Sequence, residues 1–452
     1  MLEVAALVAL TFAQPAAGAP PAASPAMRTQ TPPAADPVAP TPPTAELLTL
    51  DGALAEAASK NLDLAQARAR LEQARAGVNR AWSAQLPQVA ATGAYTRYDK
   101  ESVIPAGVIG PDPITLQPRN QLAGQLEVTQ ALIAPQAWFG IRSSRLGARV
   151  ADDTVENARR ELLFAVAQAY YGAVSVKKAI GVQERQLAIT LAHEKDARVR
   201  FEAGTVPKVT LLRAEIDRAR AEQDLKRTQN GYESAKVILA TLLDREQPSF
   251  DVDVPPAPRL PENLDALEQV ALRERPDVRA ADTSLRLAES NRQAVRARYF
   301  PVIGAFGRYQ ITNTAGFTGD EDVITYGLQA RWDIFDGGLR EADLRDTDAR
   351  ISEAQSAKRA TENRAVEEVR RARLDRDSAV SNRVIAEEQL SLARENQRLV
   401  EVNFRAGAAT YLEVSDANTA LAAAELAVIT ETLNADLASV RLLQTSGGFP
   451  AR

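Results

Sequence analysis

The chain repeats itself. Residues 200–222, "RFEAGTVPKVTLLRAEIDRARAE", return as 403–425, "NFRAGAATYLEVSDANTALAAAE", with Phe201/Phe404, Gly204/Gly407 and Ala214/Ala417 kept. An internal repeat of this length means that one structural unit is built twice. The repetition extends upstream. Leu64, Ala67, Leu71, Ala74, Val78 and Ala81 follow alternating three- and four-residue spacing and stop at Pro87. That is the apolar seam of a packed helix. It recurs as Val278, Ala281, Leu285, Ala288, Arg292 and Val295, stops at Pro301, and has one charged interruption.

After each proline the period changes to two. "PQVAATGAYTRY" (87–98) and "PVIGAFGRYQI" (301–311) are rich in small and β-forming residues. In 121–129, Leu122, Gly124, Leu126 and Val128 alternate with Gln121, Ala123, Gln125, Glu127 and Thr129. In 324–333, Ile324, Tyr326, Leu328, Ala330 and Trp332 alternate with polar or small residues. One apolar face against one polar face suits a half-buried sheet or a membrane barrel with a wet lumen. Strands are expected over about 88–98 and 121–133, and over about 302–312 and 323–335, one hairpin per repeat. The first hairpin's connection is longer by about a dozen residues, and loops absorb such insertions at little cost.

No proline occurs between Pro135 and Pro207, or between Pro301 and Pro450. A helix over 136–202 would be about 100 Å long at 1.5 Å per residue. Helices at 61–86 and 208–245, stacked end to end, would match it. In the second repeat Leu412, Thr419, Leu426, Leu433 and Val440 keep a seven-residue period, as in a coiled coil. Gly204 and Gly407 are then the breaks where the long helices end and the chain turns back.

Composition narrows the function. The net charge is −5, which argues against a nucleic-acid surface. There is no Cys, so disulfides, thiolate metal sites and Cys nucleophiles are excluded. The single histidine, His193, leaves almost nothing for a His-based metal site or a Ser-His-Asp triad, and its polar surroundings read as plain helix surface. No nucleotide loop or nucleophile motif is present, so neither an enzyme nor a cofactor is expected. At the N-terminus, "LEVAALVALTFA" followed by "AGA" reads as a signal peptide over 1–19, although Glu3 stands where basic residues are usual. A Pro/Ala-rich linker is expected over 20–45.

In this order the motifs resemble the TolC-type outer-membrane efflux protein family, across residues 46–447. They are the opening "LTLDGALAEAASKNLDLAQARARLEQARAGVNRAWSAQLPQV", "QALI" and "WDIFDGG" ending the second strand of each pair, and "AVAQAYYGAV". The two F-x-A-G turns and the closing "LAVITETLNADLASVRLLQTSGG" complete them. The boundaries are a first repeat over 46–250 and a second over 251–447. The resemblance implies a mainly α fold with a β-barrel part: a homotrimer with a 12-stranded barrel in the outer membrane and a 12-helix periplasmic tunnel. It implies a periplasmic adaptor and an inner-membrane pump of RND or ABC type as partners. A trimer is also reasonable on the strands alone. Four per chain cannot close a barrel, even eight leave an interior filled by side chains, and closure removes open edges from lipid.

On that reading Leu126, Val128, Leu328, Ala330 and Trp332 face lipid. The turns at Gly204, Thr205 and Val206 and at Gly407, Ala408 and Ala409 form the rim that meets the adaptor. Family members carry two acidic residues, six and nine positions after the second turn glycine, lining the closed periplasmic entrance; here these are Glu413 and Asp416. They share one helix face, and they could equally complement the helix dipole. The chain departs from the pattern elsewhere. Phe404 stands where a tyrosine is frequent, Ala409 where an arginine is frequent, and Thr210 where an acidic partner is frequent. The competing reading is a periplasmic coiled-coil scaffold without a pore, which explains the helices but not two matched hairpins with apolar faces.

Overall fold

The computed structural model describes residues 46–449, apart from 109, 112, 262 and 315–319. The expected signal peptide and linker lie outside the described residues. The first repeat runs β1 (Glu46–Leu48), α1 (Leu50–Lys60), α2 (Leu62–Ser83), β2 (Gln88–Arg97), β3 (Ser102–Ile104), β4 (Ile114–Gln117), β5 (Asn120–Ile133), α3 (Pro135–Glu202) and α4 (Lys208–Leu242). The second runs β6 (Phe250–Val252), α5 (Leu267–Glu274), α6 (Pro276–Arg296), β7 (Val302–Thr312), β8 (Asp322–Arg331), α7 (Leu339–Arg405) and α8 (Tyr411–Thr445).

Helices α3 and α7 have 68 and 67 residues, about 100 Å each. Each returns through a 35-residue helix, α4 or α8, and α2 or α6 completes the length. The joint between the stacked helices is specific. Asn61 caps α2, accepting from the N–H groups of Asp63 (3.0 Å) and Leu64 (3.1 Å). Its Nδ2 donates to the carbonyl of Leu242, at the end of α4 (3.1 Å). The matching residue in the second repeat is Arg275, whose Nη1 donates to the carbonyl of Thr445 at the end of α8 (3.2 Å). Asn61 thus serves two helix ends that would otherwise leave orphan backbone groups, whereas Arg275 serves the end of α8 and leaves α6 without a side-chain cap.

Beside this joint sits the main core. Strands β1 and β6 pair in parallel, and Leu48, Phe250 and Val252 pack on Leu163, Val166, Ala167 and Tyr170 of α3 and on Leu239 and Leu243. The buried Tyr170 hydroxyl donates to the Leu48 carbonyl (2.7 Å) and accepts from the Asp253 N–H (3.1 Å). Burial pushes its phenol up to about 12, so it stays neutral throughout the physiological range. A smaller cluster joins Leu267, Ala271, Val369, Ala372 and Leu442 in the second repeat.

At the other end lies a four-stranded antiparallel sheet in the order β2-β5-β7-β8. The hairpins β2–β5 and β7–β8 join through β5 and β7, so β2 and β8 are its edges. Residues directly opposite one another share a face. Leu126 lies opposite Ala91 and Tyr309, and Tyr309 opposite Ile324. Glu127 lies opposite Ala90 and Arg308, and Arg308 opposite Thr325. The alternation therefore carries across all four strands: one apolar face, one polar face.

The last strand is shorter than the expected 323–335: β8 ends at Arg331. Local bonds stop it. Trp332 Nε1 donates to the Tyr299 carbonyl (3.1 Å), and Arg340 binds the Ile334 carbonyl (2.9 Å) and Asp336 (3.0 Å). Gly337 and Gly338 then take φ of 72° and 88° and lead into α7. Trp332 is consequently an exposed residue just past the strand.

The helix ends near the core are also paired across the repeats. Asp244 after α4 and Gly447 after α8 are both left-handed, at φ 56° and 87°. Asp244 carries a conformation that costs a side-chain-bearing residue on the order of 1 kcal/mol. Asp244→Gly should leave stability unchanged or raise it by up to about 1 kcal/mol. Gly447→Ala, whose Cβ would sit 3.2 Å from the Cβ of Glu274, should cost more than that. Thermal unfolding followed by helical circular dichroism reads both, and an equal response at the two sites would contradict this reading.

Candidate gate at the helical tips

The tips are two αL-terminated turns. In the first, Gly204 (φ 69°) follows the cap Ala203; Thr205 N–H donates to Arg200 O (2.9 Å) and Gly204 N–H to Phe201 O (2.9 Å). In the second, Gly407 (φ 77°) repeats the pattern with Ala408 N–H to Asn403 O (2.8 Å) and Gly407 N–H to Phe404 O (3.0 Å). This is the Schellman arrangement, for which a glycine at the left-handed position is favoured. Thr205 and Ala408 are exposed, while Val206 and Ala409 are half-buried. The guanidinium of Arg200 lies 5.3 Å from the Phe404 ring, so the two tips touch through a cation–π contact.

The two turns restart differently. Helix α4 begins after Pro207 with no side-chain cap. Helix α8 begins with a capping box: Thr410 N–H donates to Glu413 Oε2 (2.6 Å), and Glu413 N–H to Thr410 Oγ1 (3.3 Å). The bond from the Thr410 backbone, then its hydroxyl, holds the Glu413 carboxyl below its ordinary value. Glu413 therefore caps α8 and remains exposed and ionised at the tip. Asp416, one turn on, is exposed.

Behind the tips a polar clasp ties the two helical hairpins together. Asp217 of α4 accepts from Tyr411 Oη (3.1 Å) and Ser415 Oγ (2.9 Å), both of α8. Burial, and then the Asp217 charge, push the Tyr411 phenol well above its usual value. Asn418, only 4% exposed, accepts from Gln397 Nε2 (3.2 Å) and places its Nδ2 3.4 Å from His193 Nε2. The His193 ring meets Tyr411 edge-on, with centroids 6.0 Å apart. His193 is thus a half-buried member of this cluster, not the plain surface residue its sequence context implies.

The sequence pattern pointed to Glu413, Asp416 and the turns, but missed the clasp. A signal existed. Tyr411, Asn418 and Glu425 stand seven residues apart in an otherwise Ala-rich helix, so polar groups repeat at one coiled-coil position. Glu425 also bridges, to Arg185 (2.7 Å) and Arg394 (3.6 Å).

The lipid-face candidates Leu126, Val128 and Leu328 all lie exposed on the apolar face, separated from the core by roughly 30 residues of helix α3 and from the tips by its whole length. No helix among the described residues is long and apolar enough to cross a membrane. The fold thus defines a class: an internally duplicated chain with a two-faced sheet at one end and paired helical hairpins at the other. A family model described as outer membrane efflux protein matches residues 53–245 and 267–448, and the chain belongs to that family. Nodulation protein T of Rhizobium leguminosarum bv. trifolii is 22% identical to it, over 80% of this chain and 78% of that protein. The pyoverdine export outer membrane protein OpmQ of Pseudomonas putida is 24% identical, over 69% and 68%. A crystal structure of a membrane protein from Pseudomonas aeruginosa shares the fold, with TM-score 0.75 and 20% identity over 92% of this chain and 99% of that one. The family is one of outer-membrane efflux channels, which are not enzymes. The chain's location is accordingly the outer membrane, with its helical part in the periplasm.

Proposed function

We propose that three copies of the chain close into one exit conduit, which takes solutes from a periplasmic adaptor and an RND or ABC inner-membrane pump out of the cell. The observation that carries this reading is the sheet. Its apolar face is exposed as a contiguous patch of a kind soluble monomers rarely show, with Ile324 at 70%, Tyr326 at 84% and Leu328 at 72%. The outer edges of strands β2 and β8 meet no further strand among the described residues. In lipid an open edge leaves backbone groups unsatisfied, and pairing with the next copy removes the problem. Twelve strands leave a water-filled interior where four or eight do not. The helices support the same closure: Ile385, Leu392 and Leu399 of α7 form an exposed apolar stripe at seven-residue spacing.

In this assembly Leu126, Val128, Leu328 and Ala330 face lipid, and Trp332 sits at the periplasmic interface as part of an aromatic girdle. The turns at Gly204–Val206 and Gly407–Ala409 form the adaptor-facing rim. Because one turn is capped and the other is not, adaptor subunits meet two non-equivalent surfaces. Cysteines introduced at Val206 and Ala409 should crosslink to the cognate adaptor; repeated failure at both would remove the rim assignment.

Glu413 and Asp416 are the gate residues, with Phe404 beside them at the tip. Threefold symmetry converges their carboxylates into two acidic rings, which favour cations over anions. The capping box supplies a clean test. Gln at position 413 keeps the capping geometry while losing the charge. Glu413→Gln with Asp416→Asn should therefore leave α8 folded but reduce cation selectivity and block by hexamminecobalt in planar bilayers. Unchanged selectivity and block would leave these carboxylates with a capping role alone.

A further inference from the structure

On the polar face of the sheet, the register sets Glu127 directly opposite Arg308. Arg308 Nη2 donates to Glu127 Oε1 at 3.0 Å. Gln125 Nε2 donates to Glu127 Oε2 (3.1 Å), and Gln310 Nε2 to Gln125 Oε1 (3.2 Å). The four side chains form one hydrogen-bonded strip across β5 and β7. Its neighbour Phe306 does not stand over it, because that ring lies across Gly327, where a Cβ would be 3.2 Å from the ring. Among the described residues of this face, the only other charge on a strand is Arg331, at the last position of β8, where it turns to Asp333 (3.3 Å). The middle of the polar face therefore holds one carboxylate and one guanidinium per chain, and they neutralise each other.

We infer that Arg308 is a specificity-determining residue of the conduit: by pairing with Glu127 it keeps the barrel lumen free of net fixed charge. This rests on the barrel reading above, in which the polar face lines the lumen. An unpaired charge on a low-dielectric wall raises the local concentration of counter-ions. Its reach is about 10 Å at 0.1 M salt and about 30 Å at 0.01 M, enough at low salt to span the wall-to-axis distance. Three unpaired Glu127 carboxylates would make the lumen cation-selective; three unpaired guanidiniums would do the reverse. With the pair intact, the barrel passes solutes of either sign, and charge selection falls to the periplasmic end. A half-exposed ion pair contributes little to stability, so its removal leaves the sheet standing.

The test is the permeability ratio of the purified channel in planar bilayers under a low-salt KCl gradient. It is made in the Glu413→Gln/Asp416→Asn background, so that the tip carboxylates add nothing. Arg308→Gln should shift the ratio toward cations and Glu127→Gln toward anions. The exchange Glu127→Arg with Arg308→Glu keeps a bridge and should restore the starting ratio. Conducting channels whose ratio moves with neither single variant would overturn the inference, as would an exchange variant that stays shifted. A parent protein that never conducts would overturn the channel reading itself, and this inference with it.

Discussion

The long hairpins depend on how two helix ends are satisfied in one place. A 68-residue helix can pair along its whole length with a broken partner only if the break is as rigid as the helix. In the first repeat Asn61 achieves this by capping α2 while donating to the last carbonyl of α4. In the second, Pro276 opens α6, and having no N–H it removes one of the orphan donors that a cap would serve. The side chain at 275 is then free to be an arginine. Arg275 reaches the end of α8 and is itself neutralised by Asp277 (2.8 Å) and Glu368 (2.7 Å). Burial raises the Asp277 carboxyl, but the hydrogen bond and charge of Arg275, together with backbone N–H bonds, outweigh it and the net direction is down. The same joint is thus built once from a neutral amide and once from a charged network.

That divergence is general. Where the two repeats meet common geometry they keep common residues, as at Gly204 and Gly407. Where they meet different neighbours they separate. The second tip carries a capping box and two carboxylates; the first has Pro207 and no cap. The clasp of Asp217 with Tyr411 and Ser415 then holds the unlike hairpins in register at the end farthest from the sheet. The sheet end is rigid through backbone pairing, whereas the tip end is joined by a few side chains.

Much of this was legible in the sequence because the repeat doubles every signal. The seams, the prolines that end them and the period-two stretches each occur twice, so the long helices and four strands could be read to within a few residues. Legibility failed where tertiary contacts overrode pattern. The alternation in 324–333 continues past Arg331, but the bonds of Trp332 and Arg340 fold the chain away from the sheet. His193 and Asn418 look like polar helix surface, yet they face each other between hairpins that sequence spacing alone does not bring together. The Glu127–Arg308 pair was equally hidden, since pairing β5 with β7 joins the two repeats and neither hairpin predicts it. Glu413 was legible as an acidic residue at a helix start, and its hydrogen bonds to Thr410 now show how it can cap the helix and still present a charge.

The central claim is that one chain supplies one third of a closed barrel. Native mass measurement of the detergent-extracted protein tests it most directly, because edge strands β2 and β8 must pair with neighbouring copies for the sheet to sit in lipid. The account predicts particles of three chains that persist on dilution. Particles of one or two chains, with the sheet still folded, would contradict it.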